Sequence, residues 1–430
     1  MGKTPNVGDY DPDDTHCFGT VYRTGYQKNS IEEIADTQIT THQVNLGFIR
    51  LIQMENVIET ADVIVIGGGM VGSAVALGIA EKGAGVVMLD EGDNAFRAAR
   101  GNFGLVWYQG KGKGLRRYQE WAFEATRVWP GFAEKLYDET GIDVFYQKQG
   151  GLVFCFSETE FEKRSNIIEQ VRREAAPEPY ECEMLDHSGT QELLPEIKLG
   201  EAVVGASYSP HDGHVYPLAL LRALHAGFKR YGGLYYPDHP VFHIKSSGKA
   251  YVVQTPAGTF SSPKIVLAAG NGNGRLAPLV GMDIPVRPQK GQLLITERTR
   301  PLLKIPSHQV RQTAEGSFQL GFSQEEMGFD THITSDVIQY IAKNAVKAFP
   351  VLANLRVVRS WAALRVMTPD AMPIYQESES FPGAFSITLH SGVSLAALHA
   401  TKIAPWILES IPPEGFENFS SRRFHVQTAS

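Results

Sequence analysis

The clearest hydrophobic pattern begins at residue 62. Val63-Ile64-Val65-Ile66 is an unbroken β-branched run, which predicts a short strand buried on both faces of a parallel sheet. Met70 to Lys82 follows with helical spacing and many alanines, so a helix is expected there. Val86 to Leu89 reads as a second buried strand, and Lys264 to Ala268 as a further one. Longer helical patterns run through Leu115–Glu139, Pro217–Tyr231 and Ser335–Ala348. This alternation predicts an α/β chain with no internal repeat.

Residues 1–53 differ. Gly8 to Asp14 is acidic and turn-rich, which predicts loop, and Ser30 with Glu33 is a capping-box signal for a helix over Ser30–Asp36. Two readings fit this segment: an extension that packs on the body or on a partner, or upstream sequence before a natural start at Met54. The extension is preferred, because apolar Leu46–Leu51 needs a surface to dock on.

Composition narrows the class. The chain has 430 residues, 43% hydrophobic and 20% charged, which suits a soluble globular protein of two or three domains. A net charge of −7 argues against nucleic acid and anionic membranes as partners. Cys17, Cys155 and Cys182 are few and far apart with no CxxC pair, which fits a reducing compartment and offers no structural zinc site. The N-terminus lacks a signal-peptide pattern, and the apolar stretch Ala61–Ala80 is too broken by glycine to predict a membrane span. A cytoplasmic location is expected, with peripheral membrane association left open.

The chemistry starts at Gly67-Gly68-Gly69-Met70-Val71-Gly72, a GxGxxG between a strand and a helix. Gly67 permits the tight turn, Gly69 lets backbone approach a pyrophosphate, and Gly72 lets the helix pack on the strand. The helix N-terminus, opening at Met70 and Val71, offers free N–H groups to phosphate. Asp90, eighteen residues after Gly72, is expected to accept from the ribose hydroxyls, with Glu91 as competitor. The motif alone does not separate FAD from NAD.

Further blocks, in order along residues 62–408, resemble the glycine oxidase/D-amino-acid oxidase superfamily of flavoproteins. Ala98-Ala99-Arg100-Gly101-Asn102-Phe103-Gly104-Leu105 is similar to its Ser-Ser-Arg-x-Asn-x-Gly-Leu segment, with Arg100, Asn102 and Gly104 matching and both serines replaced. Asp212-Gly213-His214-Val215-Tyr216-Pro217 resembles Asp-Gly-x-Val-x-Pro, a turn into a helix. His211 and His214 there are read as turn residues, since no third metal ligand stands at a usual spacing. Lys264–Gly270 resembles the strand ending in Ala-Ala-Gly, which implies cofactor contact at Ala269 and Gly270. Asn271-Gly272-Asn273-Gly274 departs from the usual Ala-Trp, so a flexible or reshaped loop is expected. Val241 falls where the family backbone meets adenine. Pro288–Leu293 resembles Pro-x-Lys-Gly-Gln, leaving Lys290 either near the flavin or as a solvated strand lysine.

Two blocks point to the reacting end. Ser360–Asp370 is similar to Trp-x-Gly-x-Arg-Pro-x-Thr-x-Asp, whose arginine implies that Arg365 binds the substrate carboxylate. Ala363 for glycine and Val366 for proline are departures. His390–Leu395 resembles the Gly-His-x-Gly segment that meets the flavin at a helix N-terminus, implying contacts from Gly392, Val393, Ser394 and Leu395; Leu389 replaces the glycine.

The resemblance implies an FAD-dependent oxidoreductase acting on the C–N bond of a small amine, amino acid or N-substituted amino acid, by hydride transfer to flavin and hydrolysis of the imine. The expected fold is α/β, a Rossmann-type FAD-binding domain (54–110, 205–285 and 350–410) interleaved with an α+β substrate domain (111–204 and 286–349) whose antiparallel sheet covers the flavin. An extension at 1–53 and a tail at 411–430 complete it. Spacing around Gly291–Glu297, Gly328–Asp330 and Trp361 looks nearest to the flavoprotein subunits of hydrogen cyanide synthase and opine oxidases, which implies partner subunits. Rival readings are an electron-relay subunit and an NAD(P)-dependent dehydrogenase. No catalytic base is assigned; Tyr146 and His308 are the loosest candidates.

Overall fold

The computed structural model describes residues 57–92, 98–321 and 323–425. The segment expected to hold a Ser30–Asp36 helix lies outside them.

The centre is a six-stranded sheet in the order Ile374–Glu377, Ala384–Thr388, Lys264–Leu267, Val63–Ile66, Val86–Leu89, Leu234–Tyr236. All neighbours are parallel except the first pair. Val63–Ile66 lies in the middle and is at most 3% exposed. Alternate side chains enter different cores: Val63, Val65, Val86 and Met88 join the helices, whereas Ile64, Ile66, Val87 and Leu89 pack against a smaller sheet. Each such burial contributes about 1.5–3 kcal/mol, which is why an uninterrupted apolar run is stable here.

The helical layer holds Met70–Glu81, Pro217–Arg230 with its proline in the first turn, and Arg116–Thr140. The opposite layer is a four-stranded sheet, Val57–Thr60, Gly258–Ser262, Ala250–Thr255 and His243–Ser247. Residues 411–425, set apart as a tail on sequence grounds, pack onto this body: Phe416 and Phe419 are buried against Trp121, Tyr375 and Trp406, and Arg423 grips Asp370 through two nitrogens at 2.7 and 3.0 Å.

A second region carries an antiparallel sheet ordered Val310–Gln312, Ser317–Gly321, Arg287–Arg298, Val357–Met367. Beside it stands a three-stranded antiparallel sheet of Gly151–Cys155, Gly205–Ser209 and Glu183–Asp186, with Glu158–Ala175 as its helix. A Leu152–Ser307 bridge joins the two. No helix among the described residues is long and apolar enough to cross a membrane.

Lys290 corrects both sequence readings. The strand Arg287–Arg298 alternates, so Gln289, Gly291 and Leu293 border the central cleft while Lys290 faces away. Its ammonium is fully buried, 2.8 Å from Asp330 and 3.4 Å from Glu325, and it donates to the His332 carbonyl. Desolvation pulls its pKa down, but the Asp330 hydrogen bond and the Glu325 charge outweigh that and hold it above the ordinary lysine value.

Candidate active site

A cleft of about 420 Å³ runs between the six-stranded sheet and the antiparallel sheet. At one end is the glycine turn. Gly67 has φ +114°, and a side chain there would strike the Ala268 carbonyl. Gly72 is packed so closely that an ideal Cβ would sit 1.8 Å from the Gly67 carbonyl oxygen. Gly69, by contrast, meets nothing within 4 Å, so its Cα face is open. The Met70 helix has no side-chain cap and no acidic residue in its first turn. Its amide end is therefore available to an anion. The Gly68 carbonyl is already committed to Ser73 and His225.

Asp90 lines the cleft with Glu91, but its carboxylate also accepts from the Gly68 and Gly92 amides at 2.6 and 2.9 Å. It thus braces the turn from the wall of the cleft. Val241 lines the same end, its carbonyl accepting from Arg275.

Of the other expected site residues, Asn102, Ala269, Gly270, Arg365, Gly392, Val393 and Ser394 also line the cleft, with Gly67, Gly69, Met70 and Val71. Gly72, Arg100, Gly104 and Leu395 do not. Arg100 is exposed. Gly104, at φ +92°, makes the turn that the Asn102 side chain closes at 2.7 Å. Leu395 is buried just before the helical segment that opens at Ala396. The Ser394 hydroxyl is engaged with Trp107 and Leu105, and its carbonyl with Trp129, so this residue acts as a positioned wall.

Of the two expectations for the Asn271–Gly274 loop, flexible or reshaped, its bonding fits a reshaped loop. Gly270–Gly272 forms a 3-10 turn and Asn273 is fully buried, bonding Ala269, Leu267 and Thr388. Two polar atoms of cleft-lining residues, Asn271 Oδ1 and Gln289 Oε1, are buried without a protein partner among the described residues. Such orphans fit a wall that meets a polar ligand. The Ala363 departure is also accommodated: a Cβ on Gly101 would lie 2.0 Å from the Ala363 methyl, so the glycine provides the room.

Arg365 pairs across strands with Gln289 and donates to the Lys290 carbonyl at 3.3 Å. Its guanidinium lies over Gly291, where any Cβ would come within 2.5 Å of it. His390 is exposed at the cleft, and desolvation, then Lys111 and Arg365, lower its imidazole. Lys111 Nζ donates to Ser391 at 2.6 Å.

Trp107, Gln109, Lys111, Arg164 and His308 also line the cleft and were not among the assigned residues. Gln109 and Arg164 belong to a polar network built from four chain segments. Asp212, fully buried, accepts from the Tyr108 amide (2.5 Å) and from Gln109 Nε2 (2.7 Å), and Gln109 Oε1 accepts from Arg164 (2.9 Å) and Ser207 (2.6 Å). Tyr146, the other loose candidate base, is instead stacked on Trp129 away from the cleft.

These groups set an acid limit. His214, His308 and His399 are buried and held near 3 by desolvation. The unfolded chain binds protons at its histidines below pH 6.5 and the folded chain does not, so stability is lost as pH falls from 6.5 towards 3. Asp212 acts oppositely: burial raises it to about 7, so folding takes up a proton and stability falls as pH rises from about 4 to 7. Three histidines outweigh one aspartate. Denaturant midpoints should therefore drop steadily from pH 6.5 to 4.5, and Asp212→Asn should steepen the drop; a flat profile would refute the assignment.

Comparison with known proteins agrees with this geometry. The family described as FAD dependent oxidoreductase (DAO) matches residues 62–406. The chain is 41% identical to an opine oxidase subunit of Agrobacterium tumefaciens (strain Ach5), over 86% of this chain and 99% of that protein. Identity to the corresponding opine oxidase subunit of Rhizobium meliloti is 39%, with the same coverage of each chain. The crystal structure of glycine oxidase from Geobacillus kaustophilus superposes with a TM-score of 0.77 at 24% identity, over 84% of this chain and 98% of that one. The glycine turn, the uncapped helix and the matching family along most of its length place this chain in the DAO family of FAD-dependent oxidoreductases.

Proposed function

We propose that the protein oxidises the C–N bond of an amino acid or N-substituted amino acid of opine type, as one subunit of a hetero-oligomer. The observation that carries the chemistry is Arg365, a fork-shaped cation laid over side-chain-free Gly291 inside the cleft. Support for the subclass and the assembly comes from the relatives, which are named opine oxidase subunits.

In this reading Gly67, Gly69, Met70 and Val71 hold the FAD pyrophosphate, Asp90 or Glu91 the ribose, and Val241 the adenine side. Asn102, Ala269, Gly270, Gly392, Val393 and Ser394 border the ring. FAD, when bound, would supply the two-electron acceptor, taking hydride from the carbon beside nitrogen and leaving an iminium that water would hydrolyse to a carbonyl and an amine.

The chain's own residues orient the amine and prepare it. Arg365 binds the carboxylate, which fixes the neighbouring carbon. A lone pair is needed, so the amine must react neutral. Desolvation and the charges of Lys111 and Arg365 lower His390, which is not assigned as the base. The cations instead lower the amine's own pKa, since Lys111, Arg164 and Arg365 all border the cleft and disfavour an ammonium. Half-buried Trp107 and buried Leu389 and Val393 wall the cleft and exclude water from the reacting carbon.

An anaerobic absorbance titration with amino acids, N-methyl amino acids and opines tests this. Flavin bands at about 370 and 450 nm should bleach with one class. Bands that no amine bleaches, with bleaching only when a partner subunit is added, would replace the reading with an electron-relay role.

A further inference from the structure

Trp107 stands where two regions of the chain meet. It follows the short strand Leu105–Val106, and its amide donates to the Ser394 hydroxyl at 3.1 Å. That hydroxyl in turn contacts the Leu105 carbonyl at 3.2 Å. The Trp107 backbone is thereby tied to the segment proposed to border the flavin ring. Its indole reaches the other region. The ring lies on Gly151, which opens the strand Gly151–Cys155, and an ideal Cβ on that glycine would fall 2.6 Å from the indole carbons Cη2 and Cζ3. Among the described residues no hydrogen bond holds the indole nitrogen, so packing alone sets the ring's place.

The glycine at 151 answers to this contact and not to a special turn. It is paired in regular antiparallel register with Ser209 and is not among the glycines at positive φ. Glycine within a strand weakens it and often marks the close approach of another group. The strand alternates: Leu152 and Phe154 enter the core beneath, whereas Val153, on the same face as Gly151, lines the cleft. A half-buried tryptophan seated on the bare position of that face stands in the cleft wall. On its other side the missing Gly151 side chain would meet Asp212 Cβ at 2.7 Å, and Asp212 is fully buried and held by the Tyr108 amide and Gln109. Of the two neighbours, the half-buried indole is the one with room to move.

From this we infer that Trp107, seated on Gly151, is a size gate for the group carried on the substrate's nitrogen. The inference rests on the proposed amine oxidation, with Arg365 taking the carboxylate. Arg365 reaches the cleft from the strand Val357–Met367, and the indole reaches it from above the three-stranded sheet. A substrate anchored by its carboxylate on the first sheet extends its nitrogen substituent towards the second, where the indole limits its length. Trp107 acts by shape alone, so it discriminates by size and not by charge.

The test uses two ladders with the full-length flavoprotein. N-methyl-, N-propyl- and N-benzylglycine are followed by flavin reduction. Methylthio-, propylthio- and benzylthioacetate, which lack the oxidisable amine, are followed as Kd from the shift in flavin absorbance. In wild type a step of about tenfold or more should separate the rungs that fit from those that do not. Trp107→Ala should move that step to a longer group. Gly151→Ala should turn the indole into the cleft and move the step to a shorter one, with the methyl rung changed by no more than about threefold. The double variant should behave as Trp107→Ala does, because the ring that the new methyl would strike is gone. Loss by one common factor on every rung, or a double variant worse than both singles, marks a merely structural pair and overturns the inference. So does a wild-type ladder without a step, a measurement that needs no variant to fold. A stepped and shifting Kd ladder with no reduction by any amine keeps the gate and removes the oxidation. A protein that neither binds nor is reduced by any rung fails the proposed function, and the inference falls with it.

Discussion

Gly72→Ala is expected to yield protein with little bound flavin and a melting temperature lowered by several degrees. The added methyl would stand 1.8 Å from the Gly67 carbonyl oxygen and 3.3 Å from the Ala268 methyl. Neither neighbour can yield cheaply. The Gly67 amide is bonded to the Leu89 carbonyl, and Gly67 itself is at φ +114° against the Ala268 carbonyl. The helix must therefore lift from the strand, at a cost of about 1–3 kcal/mol for overpacking. Lifting it carries the Met70 and Val71 amides away from the proposed pyrophosphate site, so affinity is expected to fall along with stability. The ratio of 450 to 280 nm absorbance after gel filtration reads the effect. Gly131→Ala is the control: this glycine lies inside the Arg116–Thr140 helix and its Cβ would meet nothing within 4 Å. There alanine should stabilise by about 1 kcal/mol and leave flavin content alone. Stoichiometric flavin in Gly72→Ala would refute the close-packing account.

Arg365→Leu should lower kcat/KM for the amine by about 100- to 1000-fold or more while flavin stays bound. Losing one side of a buried charge-assisted pair costs roughly 2–5 kcal/mol. Arg365→Lys should recover only part, because an ammonium cannot reproduce the planar fork. Gly291→Ala separates position from charge. Its methyl would fall 2.5 Å from the guanidinium nitrogens. The arginine end is flexible and can swing aside, so the protein should fold while KM rises. A leucine variant within tenfold of wild type would remove Arg365 from the substrate site.

The parts legible in sequence were those with local causes. Val63–Ile66, the glycine turn and the Met70 helix sit within twenty residues, and their spacing alone predicts a dinucleotide cradle. The Ser335–Ala348 helix matched its periodicity to the residue. Thirteen of the assigned positions reach one cleft, because the resemblance supplied blocks from distant segments that no local pattern connects.

What escaped was decided by contacts between distant segments. Lys290 was misread because strand alternation says that it faces opposite to Gly291, but not that Asp330 and Glu325 wait on that face. The Asn271–Gly274 loop was expected to be flexible or reshaped because it departs from Ala-Trp; its shape is set by Asn273, which bonds strands at Leu267 and Thr388. Arg164 had one faint signal, a charge in register with Ile168, Val171 and Ala175, and nothing nearby in sequence to explain it.

Sequence by itself therefore determined the sheet core, the cofactor turn and the family, since hydrophobic period and glycine spacing act over a few residues. Only the tertiary structure decided which charges face the cleft. Burial and hydrogen bonding of Gln109, Arg164, Ser207 and Asp212 depend on bringing together segments up to about a hundred residues apart, and the energy of a buried charge lies in those partners rather than in the residue.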